Sequence, residues 1–497
     1  MNVLFASAEM VPFAKAGGLG DVIGSLPKAL RAAGVDARVI MPMYGFIDRA
    51  AYKIAPLFNF QFSKRNGTAE VFISYTEYDG VPVYFLTSWP FFGEGGHLYT
   101  TWDWDVPRFI FFSQTILATM WQLGQGAGKR TPWTPDVLHV NDWHTALAPF
   151  LLDYSRGDPY WAKMGSVITI HNMAYQGDSV GGWLYDAGVP GRTQPDLVYQ
   201  DKTNNLLAIG LAYSDTISTV SPRYAVEMQS PRFGEGLEGM VRARNQTGDA
   251  IGILNGLDVE RWNPATDPWL VKTFDTTTFL AGRAVNKADL QQEAGLQIRP
   301  DVPLIGLVSR LVAQKGIDLA VPALRRLLTD TDCQFVVLGT GETELERQLW
   351  RLCEDFRWKA RAYLQYDALL SQRIYASADL FLMPSRYEPC GTGQMLAMRY
   401  GCLPIVRETG GLADTVTNYD NADAEHGTGF VFSWEDSEAV LGTLRWAVDT
   451  YRHRPQAFQR MQQRAMQQDF SWDSSAQKYI TMYERSLSKH QPSGKKD

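Results

Sequence analysis

Short apolar runs that read as strands alternate with longer segments of helical periodicity, and they do so twice along this chain. That pattern confines it to parallel sheets covered by helices. The first series opens with NVLFASAE and GDVIGSLPKALRAAG and continues through DVLHV, SVITIHN and DTISTVS. After a less regular stretch, Asn263 to Pro303, a second series begins: PLIGLVSR, GIDLAVPALRRLL, QFVVLGTG and ELERQLWRLCEDF, then RAYLQY, ALLSQRIYASA, DLFLMPS, MLAMRYG and LPIVR. A chain of 497 residues is too long for one compact core. The expectation is therefore an α/β protein of two doubly wound domains. In the helix starting at Gly316, apolar Ile317, Val321, Leu324 and Leu328 form one stripe for packing on a sheet, and Arg325 and Arg326 fall outside it.

Composition narrows the function classes. A formal charge of −7 gives no electrostatic reason for a nucleic-acid or anionic-membrane partner, so any anion binding must be local. Cys333, Cys353, Cys390 and Cys402 show neither a CxxC pair nor metal-ligand spacing, which fits reduced thiols in a cytoplasmic protein. The start MNVLFASAEM lacks a basic leader region and is broken by Glu9, so it reads as a strand rather than a signal peptide. The uncharged run Phe109 to Gly128 carries too many polar residues and glycines to span a bilayer and reads as a buried helix. The lysine-bearing tail SLSKHQPSGKKD is compositionally loose and is expected to be disordered over residues 489–497.

In doubly wound sheets ligands sit beyond the carboxyl ends of the strands, so the strand-to-helix turns hold the candidates. KAGGLGDV follows the first strand: Gly17 and Gly18 let a ligand approach the backbone, the helix start offers free N–H groups, and Lys15 adds a full charge. A tight turn with a solvated lysine would have the same sequence. SRLVAQKG places Arg310 and Lys315 in one short loop suited to a diphosphate, or simply to solvent. SRYEPCGTGQM follows DLFLMP; Gly391, Thr392 and Gly393 can form a nest for phosphate oxygens, and Glu388 stands between that nest and Arg386, to which it could equally be paired on the surface.

KAGGLGDV, HVNDWHTAL, TIHNMAYQG, VSRLVAQKG, YEPCG and TGGLADTV, in this order and spacing from about Met1 to about Arg485, resemble the bacterial glycogen synthase and plant starch synthase family. The resemblance implies the GT-B arrangement, two Rossmann-like domains facing a deep cleft. It also implies transfer of glucose from ADP-glucose to the non-reducing 4-OH of an α-1,4-glucan with retention of configuration. Lys15, Gly17 and Gly18 match the family's K-x-G-G-L motif at the donor phosphates, and Arg310 and Lys315 match its second-domain phosphate contacts. Glu388 matches a glutamate beside the donor glucose, with Asp142 on the acceptor-facing side and His171 on the donor-glucose side. Tyr366 matches a tyrosine against the nucleobase and Asn255 an asparagine near the donor sugar. On these matches Glu388, Asp142, His171, Arg310 and Lys315 are the catalytic candidates. Donor binding falls to Lys15, Gly17, Gly18, Asn255, Arg310, Lys315, Tyr366, Gly391, Thr392 and Gly393. A histidine ending a buried strand is otherwise satisfied by backbone, and an isolated tyrosine otherwise packs in a core. In HLYTTWDWDVPRF, Tyr99, Trp102 and Trp104 could stack on a glucan or equally pack as core aromatics, and only Tyr99 is carried forward as an acceptor-binding candidate; His139 and His144 are left structural. Cationic stabilisation of a departing diphosphate needs no metal, so neither metal nor cofactor is expected.

The domains expected are 1–257 (acceptor side) and 258–470 (nucleotide-sugar binding), with a helix over 471–488 crossing back to the first. Donor contacts divided between Lys15 and the pair Arg310 and Lys315 imply closure of the cleft on binding. The sequence also departs from the family: Gly393 replaces a hydroxyl residue found in many bacterial members, giving a form closer to plant starch synthases of classes III and IV. Leu396 stands where other retaining GT-B enzymes carry a second glutamate. A UDP-glucose-dependent or chain-initiating relative, or a silent glucan-binding protein on the same fold, are the alternatives. Oligomeric state is not legible.

Overall fold

The computed structural model describes residues 1–421 and 426–491. Two compact units divide the chain: one takes in residues 1–256 and resumes at Trp472, the other is the continuous segment Leu257–Ser471.

The first unit carries nine strands: β1 (Asn2–Ala6), β2 (Asp36–Pro42), β3 (Ala55–Lys64), β4 (Gly67–Tyr78), β5 (Val81–Thr87), β6 (Val137–Asn141), β7 (Gly165–Ile170), β8 (Thr216–Thr219) and β9 (Ala250–Gly252). They form one sheet in the order β3-β4-β5-β2-β1-β6-β7-β8-β9. All pairings are parallel except those of β4, antiparallel to both β3 and β5. β1, β6 and β7 are buried along nearly their whole length, as parallel strands covered on both faces must be, and this explains why apolar residues predominate in them. The uncharged run from Phe109 lies in the helix Trp102–Gly124, which buries Phe109, Phe112, Ile116 and Met120. Among the described residues no helix is long and apolar enough to cross a membrane.

The helix Trp472–Ser488 belongs to this first unit. It buries Trp472, Tyr479, Met482 and Tyr483, and the Tyr483 hydroxyl is 2.8 Å from Nδ1 of His139 in β6. Lys489 and His490, placed by composition in a disordered tail, are held instead: Lys489 Nζ lies 2.8 Å from Asp249 and His490 Nε2 2.7 Å from Asp215. Two carboxylates, Asp249 buried and Asp215 nearly so, account for the order there, a signal that composition does not carry. Residues 492–497 of the expected tail lie outside the described residues.

The second unit carries β10 (Leu304–Val308), β11 (Gln334–Leu338), β12 (Ala360–Tyr363), β13 (Leu380–Met383), β14 (Leu403–Arg407) and β15 (Phe430–Phe432), in the all-parallel order β12-β11-β10-β13-β14-β15. The helix Ile317–Asp330 packs with the expected stripe inward, and Arg325 and Arg326 pair on the surface with Asp355 and Glu438. The stretch read as irregular, Asn263 to Pro303, contains a helix over Phe279–Glu293. Its buried face includes Arg283, Asn286, Lys287 and Gln291, so apolar periodicity could not disclose it. Arg283 donates to the carbonyls of Tyr375, Ala378 and Tyr400, and Lys287 pairs with Asp379 at 2.7 Å.

In each sheet the strand order reverses once near the centre, between β1 and β6 in the first unit and between β10 and β13 in the second. Chains leave to opposite faces there and open a crevice at the carboxyl ends of the strands.

Candidate functional site

In the first unit the chain leaves β1 and turns back through Glu9 before the helix Gly18–Ala32. Glu9 is only 4% exposed. Its Oε2 accepts the N–H groups of Ala16 (2.8 Å) and Gly17 (3.0 Å), and its Oε1 accepts the Tyr99 hydroxyl at 2.7 Å. Sequence reasoning missed this residue, registering it only as a charge that interrupts an apolar run; a carboxylate at the end of a buried strand was the signal. Gly17 is extended (φ −144°, ψ −164°), and a Cβ added at Gly17 or Gly18 would meet no protein atom within 4 Å. Neither a left-handed backbone nor packing therefore demands glycine here. What the pair provides is open approach to the first N–H groups of the helix. By contrast a Cβ at Gly24 would lie 2.2 Å from Val11 Cγ2. Lys15 is half exposed, its Nζ 2.7 Å from Asp21 in the first turn of the same helix.

Across the strand-order reversal, Asp142 follows β6 directly and has φ +52°, a left-handed conformation uncommon outside glycine and frequent at functional sites. Its Oδ1 accepts the backbone N–H of His171, at the end of β7, at 2.7 Å. Burial pushes the Asp142 carboxyl up to about 7; the His171 N–H works against that shift and the charge of Glu9 adds to it. Burial drives the His171 imidazole down to about 3, so it is neutral at physiological pH, with Nε2 3.0 Å from Asn141 Oδ1. Asp142 and His171 are thus one connected pair. Tyr99, the candidate for stacking on a glucan, is itself held on two sides. Its ring stacks on His144 at 5.1 Å while its hydroxyl holds Glu9, so it braces the turn that presents Lys15. Trp102 and Trp104, set aside as core aromatics, remain 44% and 39% exposed.

His139 is bound on both ring nitrogens, by Tyr483 and Thr169, and His144 is packed among Tyr99, Phe109 and Trp143. Asn255, beyond β9, is buried, and its Oδ1 has no hydrogen-bond partner among the described residues.

In the second unit the loop after β10 carries Arg310, exposed and ion-paired to no described residue, and Lys315 in the short turn Ala313–Lys315. Lys315 Nζ lies 2.6 Å from Oε2 of Glu388, in the loop after β13, and Ser385 Oγ donates to the same oxygen at 3.0 Å. Glu388 is 6% exposed. Its surface pairing with Arg386 does not occur: Arg386 is taken by Asp318 (2.7 and 2.8 Å) and Glu435 (3.2 Å). The glycine pair of TGGLADTV explains how the Glu388 loop is held. A Cβ at Gly410 would lie 1.9 Å from the Glu388 carbonyl oxygen, and one at Gly411 2.0 Å from that of Cys390. Two backbones are therefore pressed directly together. Gly391 has φ +70°, Thr392 precedes the helix Gly393–Arg399, and Gln394 ties the turn by donating to the Cys390 and Gly391 carbonyls. Leu396 is buried in that helix. Tyr366, beyond β12, is 84% exposed, which rules out core packing as its reason.

Each unit thus gathers charged and glycine-rich loops at the carboxyl ends of its central strands. A lysine and an open helix start lie in the first, a lysine–glutamate pair and an exposed arginine in the second. Against protein families, residues 2–243 match the model described as "Starch synthase catalytic domain" and residues 290–466 that described as "Glycosyl transferases group 1". The chain is 40% identical to a glycogen synthase of Thermotoga maritima, covering 98% of this chain and 99% of that one. It is 42% identical to a glycogen synthase of Lacticaseibacillus casei, over 98% and 100%. Among solved structures it is similar to the catalytic domain of Starch Synthase IV from Arabidopsis thaliana bound to ADP and acarbose (TM-score 0.85, 33% identity, 98% and 99% covered). The sucrose-phosphate synthase of Thermosynechococcus elongatus shares the fold, with TM-score 0.61 and 17% identity over 98% and 99% of the two chains.

Proposed function

The chain belongs to the glycogen and starch synthase family, glycosyltransferases of the GT-B fold, and from that premise we propose that it carries glucose from ADP-glucose to the non-reducing 4-OH of an α-1,4-glucan with retention of configuration. The observation that carries the reading is the Lys315–Glu388 pair, 2.6 Å apart at the strand-order reversal of the second sheet, with Arg310 exposed in the adjoining loop. That a similar starch synthase domain holds ADP and acarbose supports both substrate classes.

In this reading the bond from the anomeric carbon to the diphosphate oxygen breaks first, and its electron pair leaves with ADP. Arg310, Lys315 and Lys15 stabilise the charge that develops on the leaving group, with Gly391, Thr392, Gly393, Gly17 and Gly18 giving it access to backbone N–H groups. This cationic set supplies the charge stabilisation that a metal gives other sugar transferases, so the reaction runs without one. Glu388, fixed by Lys315 and Ser385, faces the positive character of the anomeric carbon and orients sugar hydroxyls. The acceptor oxygen attacks from the side the diphosphate leaves, and its proton passes to the departing phosphate oxygen. Asp142 orients the acceptor, His171 and Asn255 the transferred glucose, and Tyr366 lies against the adenine. Azide rescue of Glu388→Ala or Asp142→Ala giving a glycosyl azide of inverted configuration would replace this front-face route with an enzymic nucleophile.

The deciding experiment is radiolabel transfer from ADP-glucose and, separately, UDP-glucose to glycogen in EDTA, with Lys15→Ala as control. ADP-glucose turnover that EDTA leaves intact and the variant loses is expected; preference for UDP-glucose would overturn the donor assignment, and turnover with neither donor would favour a silent glucan-binding protein. A second reading, chain initiation, draws on the CGTGQM turn, closer to plant starch synthases of classes III and IV; it predicts product from ADP-glucose without added primer. The four cysteines, all buried thiols rather than disulfides, favour a reducing cytoplasmic setting.

A further inference from the structure

Asn141 ends β6 and is 1% exposed, a buried polar side chain directly after the apolar Val140. Its side chain lies between two groups of opposite demand. On one side Nδ2 is 3.2 Å from the carbonyl oxygen of Ala6 in β1; on the other Oδ1 is 3.0 Å from Nε2 of His171. A carbonyl can only accept, so the amide nitrogen must face Ala6 and the amide oxygen must face His171. Thr145 prevents the residue from shifting: its Oγ1 accepts the Asn141 backbone N–H at 2.8 Å and lies 2.9 Å from the Asn141 carbonyl oxygen. The imidazole cannot slide either, because the His171 backbone N–H is held by Asp142 at 2.7 Å.

From this geometry we infer that Asn141 is a positioning residue that keeps the His171 proton on Nε2, leaving Nδ1 as an acceptor for a hydroxyl of the transferred sugar. The identity of that hydroxyl's owner rests on the glucosyl-transfer reading; the proton assignment does not. The acceptor at Nε2 is an uncharged amide, which selects a tautomer without stabilising an imidazolium. The other titratable groups around the ring do not supply a counter-charge at Nε2: Asp142 is engaged with the backbone N–H, and His139 and His144 are driven to about 3 by burial and are neutral. His171 itself is shifted the same way.

The test is made on the full chain carrying 15N-labelled histidine, by long-range proton–nitrogen correlation at pH 7, with the His171 signals assigned by their loss in His171→Gln. A neutral ring protonated on Nε2 is expected in the unaltered enzyme; a ring protonated on Nδ1, or on both nitrogens, overturns the inference without any variant having to fold. In Asn141→Ala the second tautomer appears, and kcat with ADP-glucose falls about tenfold, the worth of one hydrogen bond, while KM changes much less. In Asn141→Asp a carboxylate at Nε2 favours the charged ring, so kcat declines as pH is lowered through an ionisation that the unaltered enzyme lacks. Unchanged kcat in Asn141→Ala with His171 still on Nε2 would sink the positioning role. If the tautomer is as expected but no nucleotide sugar is turned over, the glucosyl-transfer reading fails and the proton assignment stands.

Discussion

Replacing Gly18 by alanine separates what the protein needs from what a ligand needs. A Cβ there meets no protein atom within 4 Å, and the residue opens the helix Gly18–Ala32. Alanine is favoured over glycine in helix interiors by about 0.5–1 kcal/mol and by less in a first turn, so Gly18→Ala should fold at least as stably as the unaltered protein. The cost should fall on the donor. A phosphate oxygen bonded to the amide of residue 18 must come within about 2.9 Å of it, and the new methyl occupies part of that approach. Losing one charge-assisted hydrogen bond is worth about 1.5–3 kcal/mol, which lowers kcat/KM for ADP-glucose about 10- to 150-fold. Thermal unfolding and initial rates at fixed glucan concentration measure the two effects on the same preparations. Gly24→Ala is the opposite control: its Cβ would sit 2.2 Å from Val11 Cγ2, so overpacking should cost about 1–3 kcal/mol of stability while kcat/KM at 25 °C is held. Unchanged kcat/KM in Gly18→Ala would refute the reasoning that these glycines are kept open for a ligand.

Tyr366→Ala should leave stability within about 0.5 kcal/mol, since the side chain is 84% exposed, but weaken ADP binding by about 1–3 kcal/mol in titration calorimetry, with Tyr366→Phe restoring it. The ring of His139 is held neutral by burial, its folded value about 3 against an ordinary 6.5. Its contribution to stability is therefore complete above pH 6.5 and is lost as pH falls from there towards 3, at up to about 1.4 kcal/mol per pH unit. Urea unfolding across that range should show a shallower decline in His139→Gln. Arg485 and Lys489 both pair with Asp249, whose side chain is 9% exposed. The Arg485→Ala, Lys489→Ala double variant should lose about 1–3 kcal/mol in urea unfolding by leaving that carboxylate with the Thr247 hydroxyl and Arg244 at 4.0 Å, while kcat at 25 °C is retained.

Strand-and-helix alternation made two parallel sheets legible because strands covered on both faces are mainly apolar, and β1, β6, β7, β10 and β11 each carry at least three large or branched apolar residues. The antiparallel additions β3 and β4 were not read, since β3 lies largely toward solvent and its mixed composition sets no buried face. The helix Phe279–Glu293 escaped for the converse reason, a buried face of polar residues satisfied by distant carbonyls and Asp379. Site residues carried on motif turns could be named from sequence, but their partners could not. That Lys315 rather than Arg386 meets Glu388 depends on the loops after β10 and β13 adjoining through the pairing of those strands, and that Asn141 holds His171 depends on β6 lying beside β7; Glu9 reaches Gly17 within a single connection, whose path apolar periodicity does not give. The partners of Tyr99, Glu9 and His144, were likewise not legible, because an aromatic ring in a loop has the same sequence whatever it packs against.

The return of Trp472–Ser488 to the first unit sets an order of assembly during synthesis. The second unit is one uninterrupted segment, Leu257–Ser471, and has its full sequence as soon as it emerges from the ribosome. The first unit, although translated earlier, lacks Tyr479, Met482 and Tyr483 until the helix Trp472–Ser488 is made, and β6 keeps His139 Nδ1 without its Tyr483 partner until then. The N-terminal sheet therefore waits, with apolar surface uncovered, while the C-terminal one closes, the reverse of the usual N-terminal-first sequence. A nascent chain arrested before Trp472 should expose the first sheet to chaperones and proteases with the second already protected.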